Sequence, residues 1–282
     1  MSTAAGAQSV DRTLSLLAMV GRHAERGVPL SGLVSQSGLS KPTVRRLLLA
    51  LMRAGLIEQN ELDRRYYLGE EAYVLGSLAS RRFSLLQLSL DSLHRLSQTT
   101  EDTSFLSVRR GTFALCLYRE EGTFPVRTHA LQVGFEHPLG VGAGSLAMLA
   151  ALPDAEVDTI LAANADLLAE KHPLLLPEKL RRDVAQTRAR GFALNPGLVV
   201  ANSWAVGRVI RAPDGRPAGA LSIAAIDSRL QKPRQAVVAD YLAREAAIIE
   251  QKLEAMFGTK TAPAANGSRK KSPLPASRKS RP

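Results

Sequence analysis

Six residues between positions 41 and 65 share one chemistry: Lys41, Thr43, Arg45, Arg46, Arg64 and Arg65. A guanidinium grips a phosphate, or the O6/N7 edge of guanine, with two parallel hydrogen bonds. An ammonium adds a point charge, and a hydroxyl can donate to a phosphate oxygen. Held on one surface, such a set suits a polyanion. A second set, Gly142, Ala143, Gly144 and Ser145, sits in "VGAGSLAMLA" where a loop runs into a helix. Small residues let a ligand approach the backbone, and the free N–H groups of a helix start attract a carboxylate. The same residues would equally serve tight packing, and both readings stand at this point.

Other chemistries find little support. The single cysteine, Cys116, excludes an internal disulfide and any site of several thiolates, and the five histidines are scattered without ligand spacing. No metal or cofactor is expected. Cys116 lies inside the apolar run "FALCLY" and reads as buried, while His129 and His137 carry no catalytic signature. An enzyme would need a nucleophile, base and orienting group. A small-molecule-processing domain fused to a DNA-binding module therefore stays only as the alternative to a non-catalytic regulator. A purely architectural DNA binder would leave the middle of the chain unused.

The elements that must position the basic residues follow from apolar spacing. Val10, Leu14, Leu17 and Val20 or Gly21 mark one face of a helix, and "RGVP" ends it. Leu30 to Ser37 is a short helix, and Gly38 allows a positive φ in the turn. Ser40 caps a third helix, with Pro42 in its first turn. Val44, Leu47, Leu48 and Leu51 form the buried stripe, so Thr43, Arg45 and Arg46 look outward. Alone, this is either a helix-turn-helix or an ordinary αα corner. Two short strands, Leu56 to Glu58 and Arg65 to Leu68, flank a polar turn that ends at Arg64. A basic hairpin beside the third helix favours the winged helix-turn-helix. Glu70 to about Arg82, with Ala72, Leu75, Leu78 and Ala79 at helical spacing, predicts a linking helix.

The second region begins with a helix over 85–97 and strands over 103–109, 112–119 and 125–131. Helices follow at 143–151, 154–163 and 177–190. The segments "WAVGRVIRA" and "RPAGALSIAAI", joined through Pro213-Asp214-Gly215, form a hairpin, and a long helix from Pro233 to about Phe257 closes the region. Strands in a sheet flanked by helices make an α+β sensor-like domain, with Phe105, Leu115 and Leu117 in its core.

Charge divides in the same way. Residues 1–83 hold eleven bases against seven acids, residues 84–257 nineteen of each, and residues 258–282 seven bases and no acid, within a total of +11. Clustered bases at both ends suggest a polyanion as partner, and in the tail they would equally serve solubility alone. The tail and residues 1–8 lack apolar periodicity and are expected to be disordered. The apolar stretches are too short to span a bilayer and the start lacks signal-peptide order, so a cytoplasmic protein with no membrane partner is expected.

"QSVDRTLSLLAMV", "LSGLVSQSGLSKPTVRRLLLALMRAGLIEQ" and "RRYYLG" resemble the DNA-binding half of IclR-type transcriptional regulators. "FPVRTHALQVGFEHPLGVGAGSLAMLAAL", "TRARGFALNPG" and "VIRAPDGRPAGALSIAAIDSRL" resemble that family's effector-binding half. The resemblance implies an α+β chain divided as 9–69 winged helix-turn-helix, 70–83 linker helix and 84–257 GAF/PAS-like effector-binding domain. It implies a double-stranded DNA operator, a small organic effector, and a homodimer or homotetramer. Pro42 stands where the family usually has Ser, which removes a hydroxyl from the recognition helix. Ser145 replaces the usual Lys, so an uncharged or weakly acidic, partly aromatic effector is expected. Trp204 lies about where the family has Arg, and Ala205 where Cys is common. Trp204 serves either as a core residue or as a stacking platform. Asn195 and Ser222 are further candidates for polar contacts to the effector.

Overall fold

The computed structural model describes residues 7–24, 26–80, 84–126 and 131–258. Helices α1 (Gln8–Arg22), α2 (Leu30–Ser37) and α3 (Lys41–Arg53) precede strands β1 (Ile57–Gln59) and β2 (Tyr66–Leu68). On α3 the buried residues are Val44, Leu47, Leu48 and Leu51, the expected stripe. On α1 they are Leu16 and Val20, while Val10 and Leu14 are 57% and 56% exposed. Of the expected face, Val20 is buried and Leu17 packs against the core, whereas Val10 and Leu14 face outward. A helix with apolar residues on two sides does not reveal by periodicity which side meets the core.

Gly38 ends α2 at φ 65°, and its N–H donates to Val34 O at 3.2 Å. Ser40 occupies the N-cap of α3, but its hydroxyl pairs with Thr43 Oγ1 at 2.9 Å and caps no backbone N–H. Strands β1 and β2 pair antiparallel from Ile57↔Leu68 to Gln59↔Tyr66, and Val28 adds a bridge to Tyr66. Leu56 and Arg65, expected in the strands, lie just outside them.

Helix α4 (Glu70–Ser80) carries the expected link, with residues 81–83 outside the described segments. Its Tyr73, Leu75 and Leu78 are 77%, 50% and 61% exposed. After α5 (Ser84–Thr100) come β3 (Thr103–Arg110), β4 (Phe113–Glu120) and β5 (Glu136–Pro138). Then follow α6 (Ala143–Ala150), α7 (Asp154–Ala163), α8 (Ala165–Lys171) and α9 (Pro177–Arg190). β6 (Ala193–Pro196), β7 (Ser203–Arg211), β8 (Pro217–Ile226), a 3-10 turn (Asp227–Arg229) and α10 (Lys232–Gly258) complete the chain's described elements. The six strands form one sheet in the order β5-β4-β3-β8-β7-β6, and every neighbouring pair is antiparallel.

The alternation of β8 sets the two faces of this sheet. Leu221, Ile223 and Ala225 pack with Leu242 and Ile249 of α10 and Leu93 of α5. Ala220, by contrast, joins Leu146, Leu149 and Leu180 under α6 and α9. Of the strand expected at 125–131, the described residues Pro125, Val126 and Leu131 carry no strand pairing, and 127–130 lie outside the described residues. β5 occupies the sheet edge instead. β6 and α8 were not anticipated. The strand "ALNP" is short and holds Asn and Pro, which strands disfavour except at an edge, where β6 lies. The expected disordered ends, 1–8 and 258–282, fall outside the described residues except for Ala7, Gln8 and Gly258; Gln8 begins α1 and Gly258 ends α10.

A buried ion cluster joins the start of α10 to the α5–β3 turn. The Asp102 side chain, 2% exposed, accepts Arg229 Nε and Arg234 Nη2, each at 2.9 Å, and the Arg229 guanidinium lies 3.7 Å from the Phe124 ring centroid. Asp102→Ala removes the carboxylate that the two guanidinium groups share and leaves Arg229 with the longer carboxylate contact to Glu101 at 3.5 Å. The expected loss is about 3 kcal/mol, the lower end for a broken buried pair because Arg234 is partly in water. Urea unfolding checks it, with the midpoint falling at constant slope.

Candidate functional site

The packing of α3 decides what it can present. With its leucine stripe buried, Lys41, Pro42, Arg45 and Arg46 are exposed and Thr43 is half-buried. Leu49, 51% exposed, follows Arg45 by four positions and extends the same outward face. Guanidinium, ammonium and an apolar methyl surface on one helix match phosphates, guanine edges and thymine methyls in a major groove. Leu49 was missed because its place in an apolar run made it look like core; only its phase relative to Val44 and Leu48 marks it as outward.

The wing is built by short polar bonds. Asn60 Oδ1 accepts the N–H groups of Leu62 at 2.8 Å and Asp63 at 3.2 Å, and Arg64 takes φ 59° at the turn. This leaves Arg64 exposed near a tip where Leu62 is 95% exposed. Arg65 is placed differently. Its Nη1 donates to Arg26 O at 3.1 Å and Gly27 O at 3.2 Å, tying β2 to the turn after α1. The expected phosphate contact thus belongs more naturally to Arg64.

In the second region the approach of α6 to the sheet creates a cavity. A Cβ on Gly207 of β7 would overlap the backbone of Ala143 and Gly144, so only glycine permits this contact. The helix ladder begins with Leu146 N–H to Gly142 O at 2.9 Å, which leaves the N–H groups of Ala143, Gly144 and Ser145 ahead of it. Gly142, Ala143, Asn195, Ser203, Ala205 and Ser222 line a cavity of about 30 Å³, with Phe105, Leu131 and Val199 among its apolar walls. Room of that size holds roughly one water, so a ring-sized guest must part the walls. No charged side chain lines the cavity among the described residues.

Sequence reading and geometry agree unevenly here. Gly142, Ala143, Asn195, Ala205 and Ser222 are brought together. Asn195 Oδ1 is used by Leu198 N–H at 3.0 Å, so its NH₂ is what it can offer. Gly144 instead faces β8: a Cβ there would meet Ser222 Oγ at 3.3 Å. Ser145 is 2% exposed, and its hydroxyl accepts Gly140 N–H at 2.8 Å, bracing the preceding turn. Trp204 packs on the opposite face of the sheet, with the cluster of α5 and α10, which is its core reading. Ser203 and Phe105 were missed as lining residues. Ser203 sits two residues before Ala205 on the same strand face, and Phe105 pairs with Ser222 across β3 and β8.

The groups weighed for catalysis are poorly suited to it. Burial pushes the Cys116 thiol up to about 11, and its S–H donates to Tyr118 O at 3.7 Å. Burial, with His172 nearby, pushes His137 down to about 4, and its Nδ1 is buried without a partner. His129 lies outside the described residues.

Residues 9–61 match the model of the IclR helix-turn-helix domain, and residues 78–250, more than half of the chain, match that of the bacterial transcriptional regulator IclR C-terminal region. This chain belongs to the IclR family. It is a DNA-binding transcriptional regulator with a C-terminal ligand-binding domain. The chain is similar to the HTH-type transcriptional regulator BhcR of Paracoccus denitrificans, 26% identical over 268 residues that cover 90% of this chain and 88% of that protein. The IclR transcriptional regulator structure from Alicyclobacillus acidocaldarius has TM-score 0.73 at 22% identity, covering 87% of this chain and 98% of that one. An IclR homologue from Microbacterium hydrocarbonoxydans, solved in complex with 4-hydroxybenzoate, has TM-score 0.70 at 22% identity, covering 88% and 99%. At these identities the two structures establish the shared fold.

Within this IclR chain the two wing arginines should part company when mutated. Arg64→Ala is expected to keep stability and to lower the salt slope of DNA binding by about one phosphate's worth. Arg65→Ala should instead cost about 1 kcal/mol of folding stability through its lost carbonyl bonds, discounted for exposure. Fluorescence anisotropy across a salt series and urea unfolding of each variant check the split.

Proposed function

We propose that α3 reads a double-stranded operator through Arg45, Arg46 and Leu49. In this reading Lys41, Thr43 and Arg64 hold the flanking phosphates. The observation that carries it is the helix, left-handed glycine turn and helix whose outer face is basic while its inner face is leucine. A small organic effector occupies the cavity beside Gly142, Ala143, Asn195, Ala205 and Ser222 and alters operator affinity. The absence of a cationic side chain among the described lining favours an uncharged or weakly acidic guest, held by the N–H groups that open α6. The 4-hydroxybenzoate bound by the Microbacterium homologue is of this class, which supports the reading.

The unit acts as a homodimer or homotetramer, and the exposed apolar residues of α1 and α4, Val10, Leu14, Tyr73, Leu75 and Leu78, support an oligomer. Residues 9–69, 70–83 and 84–257 are its DNA-binding, linking and effector-binding parts. It works in the cytoplasm without catalytic turnover. Cys116 and His137, the groups weighed for catalysis, are buried as neutral groups, which supports a role without turnover.

Replacement of one reading side chain tests the assignment. Arg45→Ala is expected to lower operator affinity by roughly 1 to 3 kcal/mol while random-sequence DNA loses much less. Gel shifts on both DNAs measure it, after selection of the operator from a genomic library. Equal affinities of folded variant and parent on both DNAs would remove α3 as the reader.

A further inference from the structure

A larger opening lies at the other end of α6. Strand β6 pairs with β7 only as far as Gly207, so Arg208–Arg211 of β7 have no strand neighbour on that edge among the described residues. There the gap between α6 and α9 on one side and α10 on the other forms a groove of about 360 Å³. Ala150, Phe192, Val209, Ala243, Ala246 and Ala247 give it an apolar lining. That volume lies within the range of small-molecule sites.

Its polar groups differ in how far they are engaged. Arg188 is engaged through all three of its nitrogens: Nε and Nη2 hold the carbonyls of Ala150 at 2.8 Å and Leu152 at 2.6 Å, and Nη1 pairs with Asp154 at 2.6 Å. Arg211 Nη1 donates to Gly215 O at 3.1 Å, and its N–H is taken by Glu250 Oε1 at 2.7 Å. Arg208 is bonded through Nη1 to Gly191 O. A guanidinium has five donors, so Arg208 keeps a fork for an anion. Thr187, 6% exposed, also lines the groove, and its hydroxyl is buried with no partner. A helical threonine ordinarily bonds back to the carbonyl four residues earlier, and a buried hydroxyl left unpaired costs stability.

We propose that this groove is a second ligand site, distinct from the cavity at the start of α6, and that it takes a small organic monocarboxylate. The carboxylate pairs with Arg208, the apolar body lies against Phe192 and the α10 alanines, and a shift of the wall brings the Thr187 hydroxyl, otherwise closed off from the groove, to the ligand. Glu250 at the far end disfavours a second carboxylate. The site stands independently of the effector reading.

The test uses the full-length protein with ¹³C-methyl-labelled alanine, because alanines mark both places. Ala243, Ala246 and Ala247 report the groove, whereas Ala143, Ala205 and Ala224 report the cavity. Acetate, butyrate and benzoate are titrated as probes, against succinate, terephthalate and benzamide. The expected result is a saturable shift of the groove methyls with at least one monocarboxylate. Arg208→Met should weaken it by about tenfold, the scale of a lost charge-assisted pair, and Arg208→Lys should restore part of it. Thr187→Val should weaken the same titration without lowering the melting temperature of the probe-free protein. Groove methyls that stay still with all three monocarboxylates, or the same midpoint in parent and Arg208→Met, would overturn the proposal. Equal binding of the matching dicarboxylate or of benzamide would overturn the assigned ligand class.

Discussion

The close approach of α6 to β7 is the contact on which the effector domain depends. Gly207 has no side chain, so the backbone of Ala143 and Gly144 lies directly against the strand, and Gly144 in turn lies against Ser222 of β8. Any larger residue at 207 would lift the helix start from the sheet. Because the approach is made by backbone, Gly142 and Ala143, the latter with an N–H ahead of the helix ladder, come to the wall of the cavity. In the proposed reading, recognition there is by dipoles and neutral side chains, since the described lining carries no cation. The helix continues from this contact to the groove beside β7, where its small residues Ala147 and Ala150 and the following Ala151 keep the space open.

Position on the DNA side rests on a different economy. Val44, Leu47, Leu48 and Leu51 fix the rotation of α3, and that rotation turns Arg45, Arg46 and Leu49 outward together. The wing is shaped by Asn60 and the left-handed Arg64, and Arg65 anchors it to the turn after α1. Two adjacent arginines of identical chemistry thus have different uses. One is held at a strand's foot by carbonyls, while the other stands free at the turn.

Much of this was legible in the sequence where a period or a backbone constraint speaks for itself. The leucine stripe of α3, the glycine turn at Gly38, the β7–β8 hairpin and the helix start at Ala143 all lie where spacing put them. What was hidden depended on partners distant in the chain. Nothing near Trp204 tells which sheet face it takes, since its neighbours alternate between small and apolar residues. Ser145 reads as a site residue until Gly140 is seen to donate to its hydroxyl. Val10 and Leu14 look like core until α3 and α2 are seen to meet Leu16 and Val20 instead. β6, four residues with Asn and Pro, forms only because β7 offers it an edge.

Thermal melting of the parent and Gly207→Ala proteins, with a panel of neutral and monocarboxylate aromatic compounds, tests the central claim most directly. The claim is that the Gly207 contact builds the effector cavity. The parent should gain a melting shift with at least one compound, by the linkage of binding to folding. Gly207→Ala should lose that shift while its DNA-binding half holds operator DNA as tightly as the parent does. A parent that responds to no such compound, or a folded Gly207→Ala protein with the full parental shift, would contradict the account.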